Sequence, residues 1–140
     1  MPDPSPSATG GCLCGGVRYR VYGGLRTVIA CHCSQCRRSS GNFVAATNAR
    51  RDAVQFDAAA TLTWYASSGT AERGFCGRCG GNLFWRQTGD GAATISIMAG
   101  TLDPPTGLRL TSHIFVADKS DFYDIADGAA CHAGWPGRQE

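Results

Sequence analysis

Seven of the chain's eight cysteines fall into three short clusters, and their number suggests two metal sites of different kinds. The clusters are Cys12-x-Cys14, Cys31-x-Cys33-x-x-Cys36 and Cys76-x-x-Cys79. Zinc in a structural site is held by four protein ligands, whereas a catalytic zinc keeps three and leaves the fourth position open for water or substrate. Seven thiols divide into four plus three, so the spacing predicts one closed and one open zinc site.

A disulfide framework in a secreted domain is the alternative interpretation of clustered cysteines. Residues 1–10 carry neither the basic segment nor the apolar run of a secretory signal peptide. Thiols one or two residues apart in glycine-flanked turns suit chelation better than mutual disulfides, which require a particular separation of Cβ atoms. We therefore expect reduced cysteines, a cytoplasmic protein and two zinc ions per chain.

The third cluster has the form of a zinc knuckle. Cys76 and Cys79 flank a two-residue turn, and the glycines that follow permit the positive φ that aims backbone N–H groups at sulfur. The first cluster has a similar turn at Gly15-Gly16. We therefore pair the first cluster with the third in a closed site. Its expected role is structural, because it closes a long loop between the N-terminal region and the middle of the chain.

The middle cluster differs because its three candidate ligands lie within six residues. Cys31, Cys33 and Cys36 can share one ion while its fourth face stays open. In an extended segment the His32 side chain alternates away from those of Cys31 and Cys33, so we place it behind the ligands or toward substrate. The alternative is a second closed site, whose fourth ligand has three candidates: His32, His113 and Cys131.

An ion held by three thiolates favours thiol chemistry over hydrolysis. The negative charge of the thiolates makes zinc a weaker Lewis acid than one held by neutral imidazoles, so the ionisation of water is disfavoured. Soft sulfur suits the open position, and the ion lowers the pKa of a bound thiol. A thiol such as glutathione also carries carboxylates, which arginines bind in bidentate fashion. The candidate glutathione-binding residues follow the third ligand directly: Arg37, Arg38, Ser39 and Asn42.

Short strands and turns must position these clusters, since few segments could form a long helix. Alternating, β-branched and aromatic residues predict strands at 17–22, 42–48, 61–65, 83–85, 94–98 and 113–116. One helical turn is predicted at 34–39, where backbone N–H groups would point toward the thiolates. Residues 100–107 form a Pro/Gly-rich loop. The pattern predicts a mainly β fold of antiparallel sheets.

Length and composition indicate one compact domain. With 140 residues and 43% hydrophobic content the chain can bury a core. We assign the zinc domain to residues 10–128, a disordered tail to 1–9 and a C-terminal tail to 129–140, because both ends are polar and turn-rich. The net charge of +2 comes without a basic run, so nucleic acid is not an expected partner. A membrane is not expected either, since no apolar stretch approaches the roughly 18 residues of a span.

Three runs of the sequence resemble the glutathione-dependent formaldehyde-activating enzyme family, which includes centromere protein V. The runs are residues 11–19 (GCLCGGVRY), 31–37 (CHCSQCR) and 73–83 (RGFCGRCGGNL). The resemblance continues through residues 99–103 (AGTLD) and 112–116 (SHIFV) to about Asp127. It ends where the tail begins, because residues 128–136 lack the leucine-proline-aromatic stretch that is common in the family.

The resemblance implies a β-tent fold of small antiparallel sheets, a structural zinc on the first and third clusters and a catalytic zinc on the middle one. The family's named reaction joins glutathione to formaldehyde to give S-hydroxymethylglutathione, and members are classed as carbon–sulfur lyases for the reverse direction. By analogy the glutathione sulfur attacks the aldehyde carbon as a thiolate, and the oxyanion that results needs a proton. His32 and His113 are the candidates to supply it. The expected partners are a small thiol and an aldehyde, or their adduct.

Other classes of function stay open on the sequence. A binding module like centromere protein V would need a basic extension or surface, and the 140 residues contain no basic run. A zinc-stabilised chaperone or metal-handling protein would have two metal sites and a pocket at neither. The methionine sulfoxide reductase B family needs a redox cysteine in its own motif, and only Cys131 is spare. We interpret Cys131 as a free surface cysteine, and the sequence leaves a homo-oligomer open.

Overall fold

The computed structural model describes residues 5–89 and 92–137, and within them the chain is mainly β. The strands are β1 (Ala8–Gly11), β2 (Arg18–Val21), β3 (Val28–Cys31), β4 (Val44–Arg50), β5 (Val54–Ala58), β6 (Leu62–Ala66), β7 (Ala71–Cys76), β8 (Asn82–Gln87), β9 (Thr94–Met98), β10 (Leu110–Ile114) and β11 (Ala130–Cys131). The α-helix is α1 (Ser34–Ser40), and 3-10 turns lie at Arg51–Ala53, Ala99–Thr101 and Val116–Asp118. The predicted mainly β class is confirmed, and none of the helices described is long and apolar enough to cross a membrane.

The chain folds into two compact units, and each contains one group of cysteines. The four-cysteine unit comprises the described residues of 1–26 and 47–107. The three-cysteine unit comprises those of 27–46 and 108–140. Strand β4 begins in the three-cysteine unit and ends in the four-cysteine unit.

Antiparallel strands build the four-cysteine unit. Strands β1, β2 and β5 form one sheet in that order, and β9, β8, β7 and β6 are neighbours in the other. The alternation predicted for β2 is observed, since Tyr19 and Val21 are fully buried while the arginines between and before them are partly exposed. Tyr19 packs edge-on against Phe84 of β8, with ring centroids 5.3 Å apart. This packing fixes the sheets that carry the two cysteine turns.

The three-cysteine unit contains parallel as well as antiparallel strands, which differs from the expected antiparallel arrangement. Strand β3 pairs antiparallel with β4 on one side and parallel with β10 on the other, and β11 pairs parallel with β10. A parallel pair needs a long connection between its strands. Residues 32–109 supply that connection between β3 and β10, and most of them fold in the other unit.

The sequence prediction missed strands β1, β3, β5, β7 and β11. Two of them extend beyond the predicted limits of the zinc domain. Ala8 pairs with Val21, so part of the predicted N-terminal tail belongs to β1, and Ala130 pairs with Ser112, so part of the C-terminal tail belongs to β11. These short, small-residue strands lack an alternating pattern and form because a neighbouring strand offers hydrogen bonds. Residues 1–4 and 138–140 of the predicted tails lie outside the described residues.

Gly10 in β1 lies directly against Tyr19 and the Thr101 backbone, and we expect Gly10→Ala to destabilise the protein. A Cβ at Gly10 would lie 2.5 Å from the carbonyl oxygen of Thr101 and closer still to the Tyr19 hydroxyl. Tyr19 cannot move aside, because it is fully buried and its hydroxyl is hydrogen-bonded to the Thr101 side chain at 2.7 Å. The free energy of unfolding should fall by about 1–3 kcal/mol in urea denaturation. Gly24→Ala is the control, since its Cβ would meet open space, and an equal loss in both variants would contradict the packing argument.

Candidate metal sites and active site

Two similar turns carry the cysteines of the four-cysteine unit. Cys12 and Cys14 lie between β1 and β2, and Cys76 and Cys79 lie between β7 and β8. In the first turn the Gly15 N–H donates to the Cys12 carbonyl at 3.3 Å, and in the second the Gly80 N–H donates to the Cys76 carbonyl at 2.8 Å. Gly15 and Gly80 have φ of 79° and 77°, which other residues rarely adopt. The knuckle predicted for the third cluster therefore has a counterpart in the first.

The four sulfur atoms of these turns form one compact group, all within 4.8 Å of one another. The Cys14 sulfur lies 3.7 Å from the sulfurs of both Cys12 and Cys76. Sulfurs bound at about 2.3 Å to a tetrahedral zinc are about 3.8 Å apart, whereas sulfurs in a disulfide are about 2 Å apart. The donor set and its spacing fit a four-coordinate zinc ion, and all eight cysteines are free of disulfides.

Nearby hydrogen-bond donors lower the pKa of two of these four thiols. The Thr61 hydroxyl lies 3.2 Å from the Cys76 sulfur, and with the Cys79 N–H it lowers the pKa of Cys76 to about 5. The Gly16 N–H donates to the Cys14 sulfur at 3.4 Å and lowers the pKa of that thiol. Burial raises the pKa of Cys12, so the local hydrogen bonds favour the thiolate at Cys14 and Cys76 only. Thiolates are the form in which cysteine binds metal, so each turn supplies one thiol that is favoured in this form.

The end of β3 and the first turn of α1 position the middle cluster. Cys31 is the last residue of β3, Cys33 caps the helix and Cys36 is buried within its first turn. The Cys36 N–H donates to the Cys33 sulfur at 3.4 Å, so the thiol takes the place of the usual N-cap oxygen. Gly41, with φ of 87°, ends the helix through a hydrogen bond to the Arg37 carbonyl at 2.9 Å. The predicted helical turn is thus observed directly after Cys33.

The three sulfurs of this cluster also lie within 4.8 Å of one another and could hold a metal ion. The neighbouring Cys36 thiol and burial raise the pKa of Cys31, so three crowded thiols do not ionise together unless a cation offsets their charge. A soft divalent ion such as zinc fits this donor set. Within residues 5–89 and 92–137, no fourth ligand atom joins the group, and His32, His113 and Cys131 all lie outside it.

The two predicted histidines lie instead in a chain of hydrogen bonds within the three-cysteine unit. His32 Nε2 is 2.9 Å from His113 Nδ1, and His32 Nδ1 is 3.0 Å from the Tyr123 hydroxyl. At the other end, His113 Nε2 is 2.7 Å from Asp127 Oδ2. His32 and His113 are buried, with 0% and 4% of their surface exposed, whereas Tyr123 is half-buried and Asp127 is exposed. The order of the chain is therefore Tyr123, His32, His113, Asp127.

The parallel pairing of β3 and β10 brings the histidines together. It sets His113 beside Ala30 and Ile114 beside Cys31, and the His32 N–H donates to the Ile114 carbonyl at 3.0 Å. The His32 ring also packs against the ring of Phe43, with centroids 4.9 Å apart. Because the strand pairing places the two residues side by side, the hydrogen bond between their rings is set by the fold.

The residues predicted to bind glutathione lie on α1 and just after it. Arg37 Nε donates to the Asp118 carbonyl at 3.2 Å, while Arg38 is exposed. The Ser39 hydroxyl donates to the Cys36 carbonyl at 3.2 Å, which ties it to the helix backbone. Among the described side chains, Asn42 has a buried Oδ1 without a hydrogen-bond partner. The two arginines thus place positive charge on the helix that carries Cys36.

Comparison with known proteins agrees with the resemblance seen in the cysteine runs. The sequence matches the family described as glutathione-dependent formaldehyde-activating enzyme over residues 7–118, which is most of the chain. The chain belongs to this family. The predicted membership of the glutathione-dependent formaldehyde-activating enzyme family is therefore confirmed.

Two relatives of this family member extend the comparison. An uncharacterized lyase of Schizosaccharomyces pombe is 29% identical over 123 residues, which cover 87% of this chain and 88% of the relative. The crystal structure of a Rhodobacter sphaeroides protein has the same fold, with a TM-score of 0.58 and 24% identity over 74% of this chain and 99% of that one. Family and relative together support a lyase-type enzyme related to glutathione.

The sequence did not predict two of the four hydrogen-bonded residues, Tyr123 and Asp127. Tyr123 and Asp127 lie in an irregular segment between the last 3-10 turn and β11, where the sequence shows no motif. Their contacts to His32 and His113 bridge 91 and 14 residues along the chain. No spacing pattern predicts such contacts, so only the folded chain could identify them.

Proposed function

We propose that the protein is a zinc-dependent carbon–sulfur lyase acting on thiol adducts, with the formation or cleavage of S-hydroxymethylglutathione from glutathione and formaldehyde as the leading reaction. The observation that carries this proposal is the group of three sulfurs without a fourth protein ligand among the described residues, directly followed by two arginines. Lyase chemistry is supported by the family and by the curated relative. The substrates follow from the family's description and from the chemistry of the donor set.

Two zinc ions are proposed, one for each group of sulfurs. Cys12, Cys14, Cys76 and Cys79 would hold a structural ion, while Cys31, Cys33 and Cys36 would hold the catalytic one. When bound, the second ion supplies Lewis acidity that keeps a thiol ionised near neutral pH. The chain's own contribution is to hold three sulfurs together and to leave one side of the group without a fourth protein ligand.

Arg37 is the residue best placed to bind a glutathione carboxylate. Its Nε is anchored on the Asp118 carbonyl at 3.2 Å, and the terminal nitrogens of its guanidinium have no partner among the described residues. A fixed guanidinium with free terminal nitrogens suits a bidentate contact to a carboxylate and loses little side-chain entropy on binding. We propose that Arg38, Ser39 and Asn42 supplement this contact.

The burial of His32 and His113 decides how they could take part. With 0% and 4% of their surface exposed, neither ring can touch a substrate without movement of its neighbours. We propose that both act from behind the site, through the hydrogen bond between His32 and the half-buried Tyr123. All eight thiols are free, which fits the cytoplasmic location proposed for the protein.

The function is tested by measuring exchange between ¹³C-labelled formaldehyde and S-hydroxymethylglutathione by NMR. Glutathione and formaldehyde combine without help, so the rate must be compared with that of the same mixture without protein. Protein with its full metal content should accelerate exchange, and protein stripped of metal by a chelator should not. Equal rates in all three samples would overturn the lyase proposal and favour a metal-handling protein.

We expect Arg37→Ala to weaken glutathione binding by about tenfold to a hundredfold, because a charge-assisted contact contributes about 1.5–3 kcal/mol. Isothermal titration calorimetry on metal-loaded protein measures the dissociation constant. Arg109→Ala is the matched control, since Arg109 is an exposed arginine of the same unit whose carbonyl accepts from Val28, at the start of β3, whereas Cys31 ends that strand. A dissociation constant that is the same in the two variants would remove Arg37 from the binding site.

A further inference from the structure

We propose that Tyr123 is a catalytic residue, whose hydroxyl exchanges a proton with the oxygen of the aldehyde or of the hydroxymethyl adduct, and that Asp127, His113 and His32 are positioning residues that set the direction of its hydrogen bond. The inference rests on the proposed function and names a residue of the same site. It follows from the order and burial of the chain that these four residues form.

Among the four hydrogen-bonded residues, only Tyr123 both contacts the segment that carries the three cysteines and is partly open to solvent. Its hydroxyl lies 3.0 Å from His32 Nδ1, and His32 lies between Cys31 and Cys33 in sequence. The two histidines are buried, and Asp127 lies at the far end beyond both of them. Of these four residues, Tyr123 is therefore the one we assign to proton exchange with a substrate at the sulfurs.

The segment that carries Tyr123 is held in place near α1. Lys119 Nζ donates to the Ser120 carbonyl at 2.7 Å and also to the Tyr123 carbonyl. The same nitrogen lies 4.3 Å from the centre of the Tyr123 ring. The neighbouring Asp118 carbonyl accepts the hydrogen bond from Arg37 Nε. The residue proposed to bind the glutathione carboxylate thus contacts the same segment as the residue proposed to exchange the proton.

The carboxylate of Asp127 sets the direction of the hydrogen bonds. The Ala129 N–H and His113 lower the pKa of Asp127, so its carboxylate is ionised and can only accept. His113 must then carry a proton on Nε2. In a neutral His113, Nδ1 accepts from His32 Nε2, and His32 Nδ1 in turn accepts from the Tyr123 hydroxyl. The Tyr123 oxygen then faces outward as an acceptor.

A second proton on His113 reverses the direction of the hydrogen bonds from His113 to Tyr123. A doubly protonated His113 donates to Asp127 and also to His32 Nε2, and His32 Nδ1–H then donates to the Tyr123 oxygen. The Tyr123 hydroxyl is then free to donate outward. His32 is neutral in both arrangements, and the two arrangements differ by one proton.

Adduct cleavage uses the first arrangement and ends in the second. The adduct's hydroxyl proton passes to the Tyr123 oxygen, the Tyr123 proton passes to His32 Nδ1, and the His32 Nε2 proton passes to His113 Nδ1. The oxygen's electron pair forms the carbonyl π bond while the carbon–sulfur bond breaks, and sulfur leaves as a thiolate. Adduct formation runs the same transfers backward, and no oxidant or reductant is needed.

The first test is the turnover of Tyr123→Phe with S-hydroxymethylglutathione, measured in metal-loaded protein above the rate without protein. Loss of a positioned acid–base group should lower kcat by about a hundredfold or more, with KM and the glutathione dissociation constant within about threefold of wild type. Tyr65→Phe is the matched control, because Tyr65 is an exposed tyrosine of β6 outside the site. It should turn over as the wild type does.

The second test does not depend on activity. The ¹⁵N shifts of the imidazoles report which ring nitrogen carries the proton, and the neutral chain requires Nε2–H on both His32 and His113. Asp127→Asn lets an amide N–H face His113 Nε2 and should move the His113 proton to Nδ1, as a triad aspartate-to-asparagine change does in serine proteases. That variant should also lose about tenfold or more in kcat, and Asp127→Glu should restore part of it.

The outcomes separate this inference from the proposed function. An active wild type with an equally active Tyr123→Phe variant overturns the role of Tyr123 and leaves the lyase in place. A wild type that fails to accelerate exchange overturns both. Nδ1–H on His113 in the wild type contradicts the direction of the chain, and a selective loss of kcat in Tyr123→Phe together with the expected tautomers supports the inference.

Discussion

Replacing Cys76 by serine is expected to remove the metal from the four-cysteine group and to unfold the four-cysteine unit. The Cys76 side chain is fully buried, and its sulfur is 3.7 Å from that of Cys14. A serine hydroxyl does not ionise near neutral pH and is a poor zinc ligand. Only three of the four thiols that a closed zinc site requires would then remain. Binding energies of structural zinc are about 10–16 kcal/mol, more than the net stability of a typical domain.

Metal content by elemental analysis and thermal unfolding by circular dichroism check this expectation. The variant should contain about one zinc fewer than the wild type and should lose its cooperative transition. Cys131→Ser is the matched control, because Cys131 is exposed and belongs to neither group of sulfurs. A Cys76→Ser protein with full zinc content and an unchanged melting temperature would contradict a structural site.

Replacing Cys33 by serine is expected to abolish activity while the fold persists. Cys33 caps α1 by accepting from the Cys36 N–H, and serine is among the best N-cap residues, so the helix should begin at the same position. The cluster would keep two thiols instead of three, which is too few to hold the catalytic ion. Adduct cleavage should fall to the rate measured without protein, with the loss of about one zinc per chain.

The comparison between the two cysteine variants is the sharpest test of the division into a structural and a catalytic site. Cys33→Ser should melt within a few degrees of the wild type and bind one zinc, whereas Cys76→Ser should not fold cooperatively. Equal loss of folding in both would show that the two groups of sulfurs have the same role. Full activity in Cys33→Ser would exclude the middle cluster from the reaction.

Much of the metal chemistry could be predicted from the sequence, because it depends on local spacing. A Cys-x-x-Cys turn followed by glycine, as at Cys76 and Cys79, specifies its own hydrogen bonds and the positive φ of Gly80. The same holds for the short helix, whose start is set by the capping residue and whose end is set by Gly41. The cysteine runs also identified the family.

The strands without an alternating pattern could not be predicted in this way. Strand β3 reads VIAC and β1 reads ATGG, and neither is long or periodic enough to stand out from its surroundings. Each becomes a strand because a neighbour supplies its hydrogen bonds. The parallel pairing of β3 with β10 is of this kind, because it depends on a strand that the sequence pattern did not predict.

The sequence by itself determined the two groups of thiols and the kind of metal they suit, since ligand type and spacing are local properties of the chain. Only the tertiary structure decided which residues join His32 in the chain of hydrogen bonds. His113, Tyr123 and Asp127 lie 81, 91 and 95 residues beyond it, and they meet because a strand from the C-terminal part pairs with β3. Hydrogen bonds between buried polar groups depend on strand register and packing, which no local pattern of residues encodes.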